Sequence, residues 1–318
     1  MGVMRLPQND RTHGQRTLPR EIAADEEVRD GVRVFSIRYP HALIQLIGWM
    51  KCTGSVRGYV LFRGQTKFFP SLVPSAFRGK GKVGSERLSW RLSCYIDELF
   101  GGSCSCAGSQ ESFHLCLERS SDRSRKSPLV LGTCRAVTEP LLQHYGLPTR
   151  WVDLVDNVWI ALWFACHRQV TVGRYAYHER RSIAEEGAEA KAYIAVVDTG
   201  DLKPTALPGL QSGATGSELV DLRRAVSSVY LRPHAQHGLL FTIGNGSVPD
   251  RQERLSACLR AIVEIPLSDA LEWLGSGLMT SSFVLFPSAV VDEGFRRLLH
   301  GPTPQEILGS FTIFGPGR

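Results

Sequence analysis

The 318-residue sequence lacks any uninterrupted apolar run near the roughly 18–20 residues that a membrane helix requires. Its first twenty residues, MGVMRLPQNDRTHGQRTLPR, are basic and polar and lack the apolar centre of a signal peptide. Together these absences predict a cytoplasmic protein with no membrane partner. Metal motifs are missing as well, with no His-Glu-x-x-His and no Cys-x-x-Cys pair. The tightest cysteine group places Cys104, Cys106 and Cys116 near His114, a spacing unlike a zinc knuckle, so an ordinary Gly/Ser loop and no metal are expected. The eight cysteines follow no framework pattern and read as reduced thiols. A nucleophile elbow and a complete Walker A sequence are also absent. The run GKGKVG at 79–84 fits a dinucleotide fingerprint in letters alone. No apolar strand precedes it and Cys104 stands where an acid belongs, which leaves a basic loop.

What is present is an ordinary globular composition, 43% hydrophobic and 21% charged, with a net charge of +6. The positive charge is uneven. Residues 1–90 hold 15 Lys+Arg against 7 Asp+Glu, whereas residues 91–170 hold 8 against 8 and residues 171–318 hold 14 against 16. A basic first third favours acidic partners, from nucleotides to nucleic acid, although on composition alone a solvated basic face is the somewhat better account.

The spacing predicts a polar N-terminal arm over residues 1–30, one mixed domain over 31–310 with an insertion at 101–127, and a C-terminal tail at 311–318. Helical spacing covers 39–52 and, with Ser85 as a cap, 85–100. GYVLFRGQ reads as a buried strand that emerges at Arg63, and a further helix spans about 129–144. Asp156 or Asn157 then caps VWIALWFAC, which is apolar on nearly every side and predicts a central helix. AYIAVVD, GLLFTIG, RAIVEIP and SSFVLFP read as strands. The fold class expected is α+β, a single mixed domain with a central β-sheet flanked by helices.

Three polar clusters adjoin these apolar elements. The first is Phe62, Arg63, Gly64 and Gln65, with Arg78 shortly after. The second is His144, Tyr145, Thr149 and Arg150 with Asp153, and the third is Arg232 and Gln236 with their neighbours. Each has a plain structural explanation: an ion pair for Arg63, a turn at Gly146-Leu147-Pro148, a satisfied core position for His144. A strand end, a turn before a buried helix and a second strand start can also converge on one face, where α/β sites are commonly built.

FRGQ, the Leu72 to Arg78 segment L-x-P-S-x-x-R, QHYGLPTRWVDLVDN and the following A-L-W-F-A resemble the FRG domain. The late segment from Arg232 to Leu239 and Phe286-Pro287 fit the same pattern, with departures at Trp151, Leu154 and Ser288. The resemblance implies a prokaryotic or phage setting and a toxin or antiphage role. In the order of its parts the sequence is also similar to NAD-dependent ADP-ribosyltransferases. That likeness implies the corresponding fold, NAD as substrate, a nucleic-acid or protein acceptor, and a regulatory or antitoxin partner. Under it Arg63 holds the pyrophosphate, with Phe62, Gly64, Gln65, Arg78 and Arg232 contributing to substrate binding. His144 meets ribose hydroxyls, Tyr145 stacks on nicotinamide, Thr149 supports the loop, and Arg150 binds phosphate or braces Asp153. Gln236 begins the late acidic segment, but Gly238 stands where a transferase has glutamate, so Asp153 or Glu264 is needed as the carboxylate. A recognition module for nucleotides, nucleic acid or a phage protein is the alternative, and a hydrolase or nuclease built on His144 and Asp153 the third reading.

Overall fold

The computed structural model describes residues 17–54, 58–79, 82–99, 133–173, 175–244, 246–277, 280–304 and 311–314. A hairpin of β1 (Ala24–Arg29) and β2 (Val32–Ile37) leads through α1 (Pro40–Thr53) to β3 (Val60–Gln65). Helices α2 (Lys82–Leu99) and α3 (Arg135–His144) precede β4 (Val152–Val155) and α4 (Val158–Cys166). A second hairpin, β5 (His167–Val172) and β6 (Tyr175–Arg180), is followed by α5 (Ile183–Glu186), β7 (Lys191–Asp198), β8 (Lys203–Pro204), β9 (Leu210–Ser212) and β10 (Ser217–Asp221). The chain continues with α6 (Leu222–Ala225), α7 (Leu231–Ala235), β11 (Gly238–Ile243), α8 (Val248–Ala257) and β12 (Leu259–Pro266). It ends, within the described residues, in α9 (Leu267–Leu274), α10 (Ser282–Leu285), α11 (Glu293–His300) and β13 (Ile313–Phe314).

Ten strands form one open sheet in the order β1-β2-β12-β7-β3-β4-β11-β10-β9-β8. Every pairing in it is antiparallel except β2 with β12. A smaller sheet, β13-β6-β5, stands beside it. The fold is therefore α+β, as the alternation of apolar strands and helices predicts.

The site follows from one break in the large sheet. β3 pairs with β7 along its whole length, from Val60↔Asp198 to Gln65↔Tyr193, but meets β4 at a single pair, Phe62↔Val155. Beyond it the two strands separate, and the guanidinium of Arg63 donates to the carbonyl of Asp153 at 2.8 Å. That bond occupies an acceptor which a continuing ladder would have used. On the adjoining face β3 lies directly on α4. A Cβ on Gly64 would sit 1.9 Å from the Ala161 carbonyl oxygen and 2.7 Å from the Ala165 nitrogen, so only glycine permits this approach.

Several local expectations change. Residues 24–29, expected within a polar arm, form the edge strand β1, whose sequence ADEEVR carries charge on a solvated edge. Ser85 lies buried inside α2, which begins at Lys82 and so includes the end of GKGKVG. SSFVLFP is not a strand: Ser281 caps the short helix α10 through its side chain. Asn157, not Asp156, caps α4 by accepting from the Trp159 amide. The insertion at 101–127, with Cys104, Cys106, His114 and Cys116, lies outside the described residues.

Candidate functional site

Where β3 and β4 part, a cleft of about 760 Å³ opens, lined on one side by Arg63, Gly64 and Gln65 and on the other by Asp153. His144 enters from the end of α3, and Gln236 from the turn between α7 and β11. Arg63 lies 3.8 Å from the Asp153 carboxylate, and His144 Nε2 lies 3.9 Å from it. Among the described residues Asp153 is the one carboxylate lining the cleft.

The protonation of His144 is set by its neighbours. Gln236 Nε2 donates to the Leu285 carbonyl at 2.7 Å, which turns its Oε1 toward His144 Nδ1, 3.1 Å away. An amide oxygen only accepts, so Nδ1 carries the proton and Nε2 presents a lone pair. Burial lowers the imidazole pKa, and the Asp153 charge and the Gln236 bond offset only part of that shift. The result is a neutral histidine whose Nε2 is buried and has no hydrogen-bond partner. Gln65 Oε1 is in the same condition in the same cleft. Desolvation, with Arg78 nearby, lowers the pKa of Arg63 against the pull of Asp153, which leaves its charge intact near neutral pH.

Gly238 explains a missing acid. A Cβ there would lie 2.5 Å from His144 Cε1 and 2.6 Å from Nε2. The imidazole occupies the space that a side chain at 238 would fill, so a glutamate cannot stand there without expelling His144. Glu264 does not substitute. It is buried between strands, bonded to Arg29 at 2.9 Å, Lys191 at 2.6 Å and Ser36 at 2.7 Å.

The other expected residues divide. Phe62, Gly64, Gln65 and Arg78 line the cleft. Tyr145 does not: it is fully buried, donates to Asp292 at 2.8 Å and stacks on Phe295 with ring centres 4.9 Å apart. Thr149 is also buried, with its hydroxyl donating to Gln143 and its amide bonded to Ser75, so it ties the 72–78 loop to the central motif. Arg150 pairs with Glu139 at 3.1 Å rather than bracing Asp153. Arg232 is a brace and not a ligand-facing group. Its guanidinium lies 4.0 Å over the Phe295 ring and donates to the carbonyls of His144 and Thr312, both at 3.3 Å. Burial lowers its pKa to about 10.

The sequence reading missed an aromatic wall. Phe164, His167, His178, Phe286 and Phe314 line the same cleft from α4, β5, β6, the end of α10 and β13. His167 Nδ1 bonds the Trp163 carbonyl at 2.7 Å and its ring stacks on Trp163 at 4.0 Å. Burial lowers the pKa of His167 and lowers that of His178 to about 3. No local spacing in the sequence marks this wall, because its residues come from elements that meet only in the fold.

No group of three His, Cys, Asp or Glu among the described residues could hold a metal, and no helix of the described residues is long and apolar enough to cross a membrane. The sequence over residues 58–172 matches the family model described as FRG domain. No curated protein and no solved structure matches the chain.

Proposed function

We propose, for a chain that carries an FRG domain over residues 58–172, that the cleft binds NAD and cleaves its nicotinamide–ribose bond, passing ADP-ribose to an acceptor. The observation that carries this reading is the meeting of three chemically different groups: the Asp153 carboxylate, with the neutral His144 and its free lone pair on one oxygen and the Arg63 cation on the other, each within 4 Å of that carboxylate along the cleft. Breaking the C1′–N bond sends the electron pair to nicotinamide and leaves positive charge on the ribose. A carboxylate beside that carbon lowers the barrier by electrostatic attraction. The acceptor oxygen or nitrogen then bonds to C1′, and its proton passes to His144 Nε2. Arg63, whose remaining N–H groups are free of the Asp153 carbonyl, and Arg78 hold the pyrophosphate. The buried acceptors His144 Nε2 and Gln65 Oε1 suit a ribose, which offers hydroxyl donors.

The acceptor is nucleic acid or protein, with the basic first third favouring nucleic acid. A toxin or antiphage role and a regulatory partner belong to the same proposal. The second reading, a nucleotide-recognition module without turnover, draws on the ion pair of Asp153 with Arg63, which already engages the one carboxylate that the described residues place in the cleft. Incubation with NAD labelled in the adenylate half, alone and with DNA, RNA or cell lysate, separates them. Transfer by wild type that is lost in Asp153→Asn and His144→Ala supports the enzyme. Binding of NAD without turnover, with every acceptor, supports the module, and undiminished transfer by Asp153→Asn removes that carboxylate from the mechanism.

A further inference from the structure

The cleft contains a second group of side chains that the cleavage chemistry does not use. His178 on β6, Phe286 after α10 and Phe314 on β13 bring three rings into mutual contact, although they lie far apart in the chain. His178 lies 4.2 Å from Phe286 with planes 23° apart, and 5.0 Å from Phe314 with planes 13° apart. Phe286 and Phe314 are themselves 4.2 Å apart. Rings this close and near-parallel stack on one another into a single apolar cluster on the cleft's side. Set in it is one polar point. His178 is only 7% exposed, and its Nδ1 is buried without a hydrogen-bond partner. A buried polar nitrogen left unpaired costs about 1–3 kcal/mol, so its retention on a cleft wall calls for a partner that arrives from outside.

The distribution of charge says what that partner is. Among the described residues, the ionised side chains that line the cleft are Arg63, Arg78 and Asp153, all in the polar group, and none of the wall's described residues is ionised. Arg232 packs over Phe314 at 5.1 Å but does not line the cleft. A carboxylate placed against these rings loses hydration without compensation, whereas a neutral carboxamide gives up less and can meet the unpaired nitrogen. Resting on the NAD reading above, we infer that His178, Phe286 and Phe314 form a subsite for a pyridine-carboxamide ring, with His178 Nδ1 hydrogen-bonded to the carboxamide. His178 is thus a specificity-determining residue that distinguishes an amide from an acid, and a pyridine from a purine.

Free rings test this independently of turnover. Calorimetry with nicotinamide, nicotinic acid and adenine on wild type and His178→Phe is the direct comparison, with circular dichroism as the fold control. The expected result is that nicotinamide binds at least tenfold tighter than nicotinic acid or adenine. In the folded His178→Phe protein, nicotinamide affinity falls about five- to tenfold, the worth of one hydrogen bond. Where His178→Phe does not fold, the imidazole ¹⁵N resonance of His178 in wild type gives the same answer, since nicotinamide shifts it if Nδ1 is the contact. Equal binding of nicotinamide and nicotinic acid, a preference for adenine, an unchanged affinity in folded His178→Phe or an unmoved ¹⁵N resonance overturns the inference. Nicotinamide binding with this pattern but no NAD cleavage sinks the proposed activity and leaves the subsite standing. Cleavage without ring discrimination does the reverse.

Discussion

The packing of Gly238 against His144 can be tested by a double-mutant cycle. Gly238→Ala adds one methyl group, and that atom would stand 2.5 Å from His144 Cε1 and 2.6 Å from Nε2, well inside contact distance. The backbone at 238 lies in the strand β11 and has no positive φ, so alanine is strained there only by the ring. Overpacking of this kind costs about 1–3 kcal/mol, because a neighbour must leave its rotamer. His144→Ala by itself removes the donor to Gln236 Oε1 and leaves that buried acceptor unpaired, at a cost of about 1–3 kcal/mol. In the double variant the imidazole is gone, and the added methyl group enters the space it vacated. The cost of Gly238→Ala should therefore fall to near zero in the His144→Ala background, giving a coupling of about 1–3 kcal/mol. Urea unfolding at constant slope reads each corner of the cycle from its midpoint. Two penalties that add to within about 0.5 kcal/mol would refute the claim that the ring fills the space at 238. Gly238→Ala should also lose catalysis or nucleotide affinity as severely as His144→Ala, since the displaced ring no longer keeps Nε2 against Asp153.

Three other outcomes are expected. Tyr145→Phe should lower stability by about 1.5–3 kcal/mol in thermal or chemical unfolding, by stripping a donor from the buried Asp292, while nicotinamide affinity stays within twofold; a large affinity loss at unchanged stability would return Tyr145 to the ligand site. The folded pKa of His178, about 3, lies below the unfolded value of about 6.5. Its contribution is fully present above pH 6.5 and is lost as pH falls toward 3, because the unfolded chain takes up a proton that the fold refuses. At pH 5, about 1.5 pH units into that window, the loss is about 2 kcal/mol. His178→Phe should flatten the stability profile between pH 6.5 and 5 by that amount, and an unchanged slope would contradict it. Arg63→Ala should weaken binding of a dinucleotide by at least tenfold and lower stability by about 1 kcal/mol through the lost bond to the Asp153 carbonyl, checked by calorimetry and urea unfolding.

How much of this was legible in the sequence depends on chain distance. FRGQ and the segment from His144 to Asp153 each supply their cleft residues from one local run, and their polar groups beside apolar elements point to a site. Adjacent residues are harder to sort. His144 and Tyr145 stand at the end of one helix, where a rotation of about 100° per residue sends one ring into the cleft and the other onto Phe295, and no local pattern decides which. The aromatic wall is illegible because His178, Phe286 and Phe314 meet only through tertiary packing. β1 escaped notice because ADEEVR has no apolar alternation, and its pairing with β2 rests on backbone bonds that any sequence can make. SSFVLFP misled through composition: an apolar run of that length fits a buried strand or one helical turn, and the Ser281 cap selects the turn.

Arg232 spans a long loop of chain. By bonding the carbonyls of both His144 and Thr312, it joins the central motif to the strand that carries Phe314. The recognisable segment, residues 58–172, brings Arg63, His144 and Asp153, but Gln236, His178, Phe286 and Phe314 lie beyond it. An excised segment with those bounds would keep FRGQ and the central motif while losing the glutamine that sets the histidine tautomer and most of the ring wall. The segment that the family model matches is therefore smaller than the set of residues that lines the cleft. Fragments, fusions and shuffled genes built on the matched segment alone should carry the family's motifs without the whole cleft.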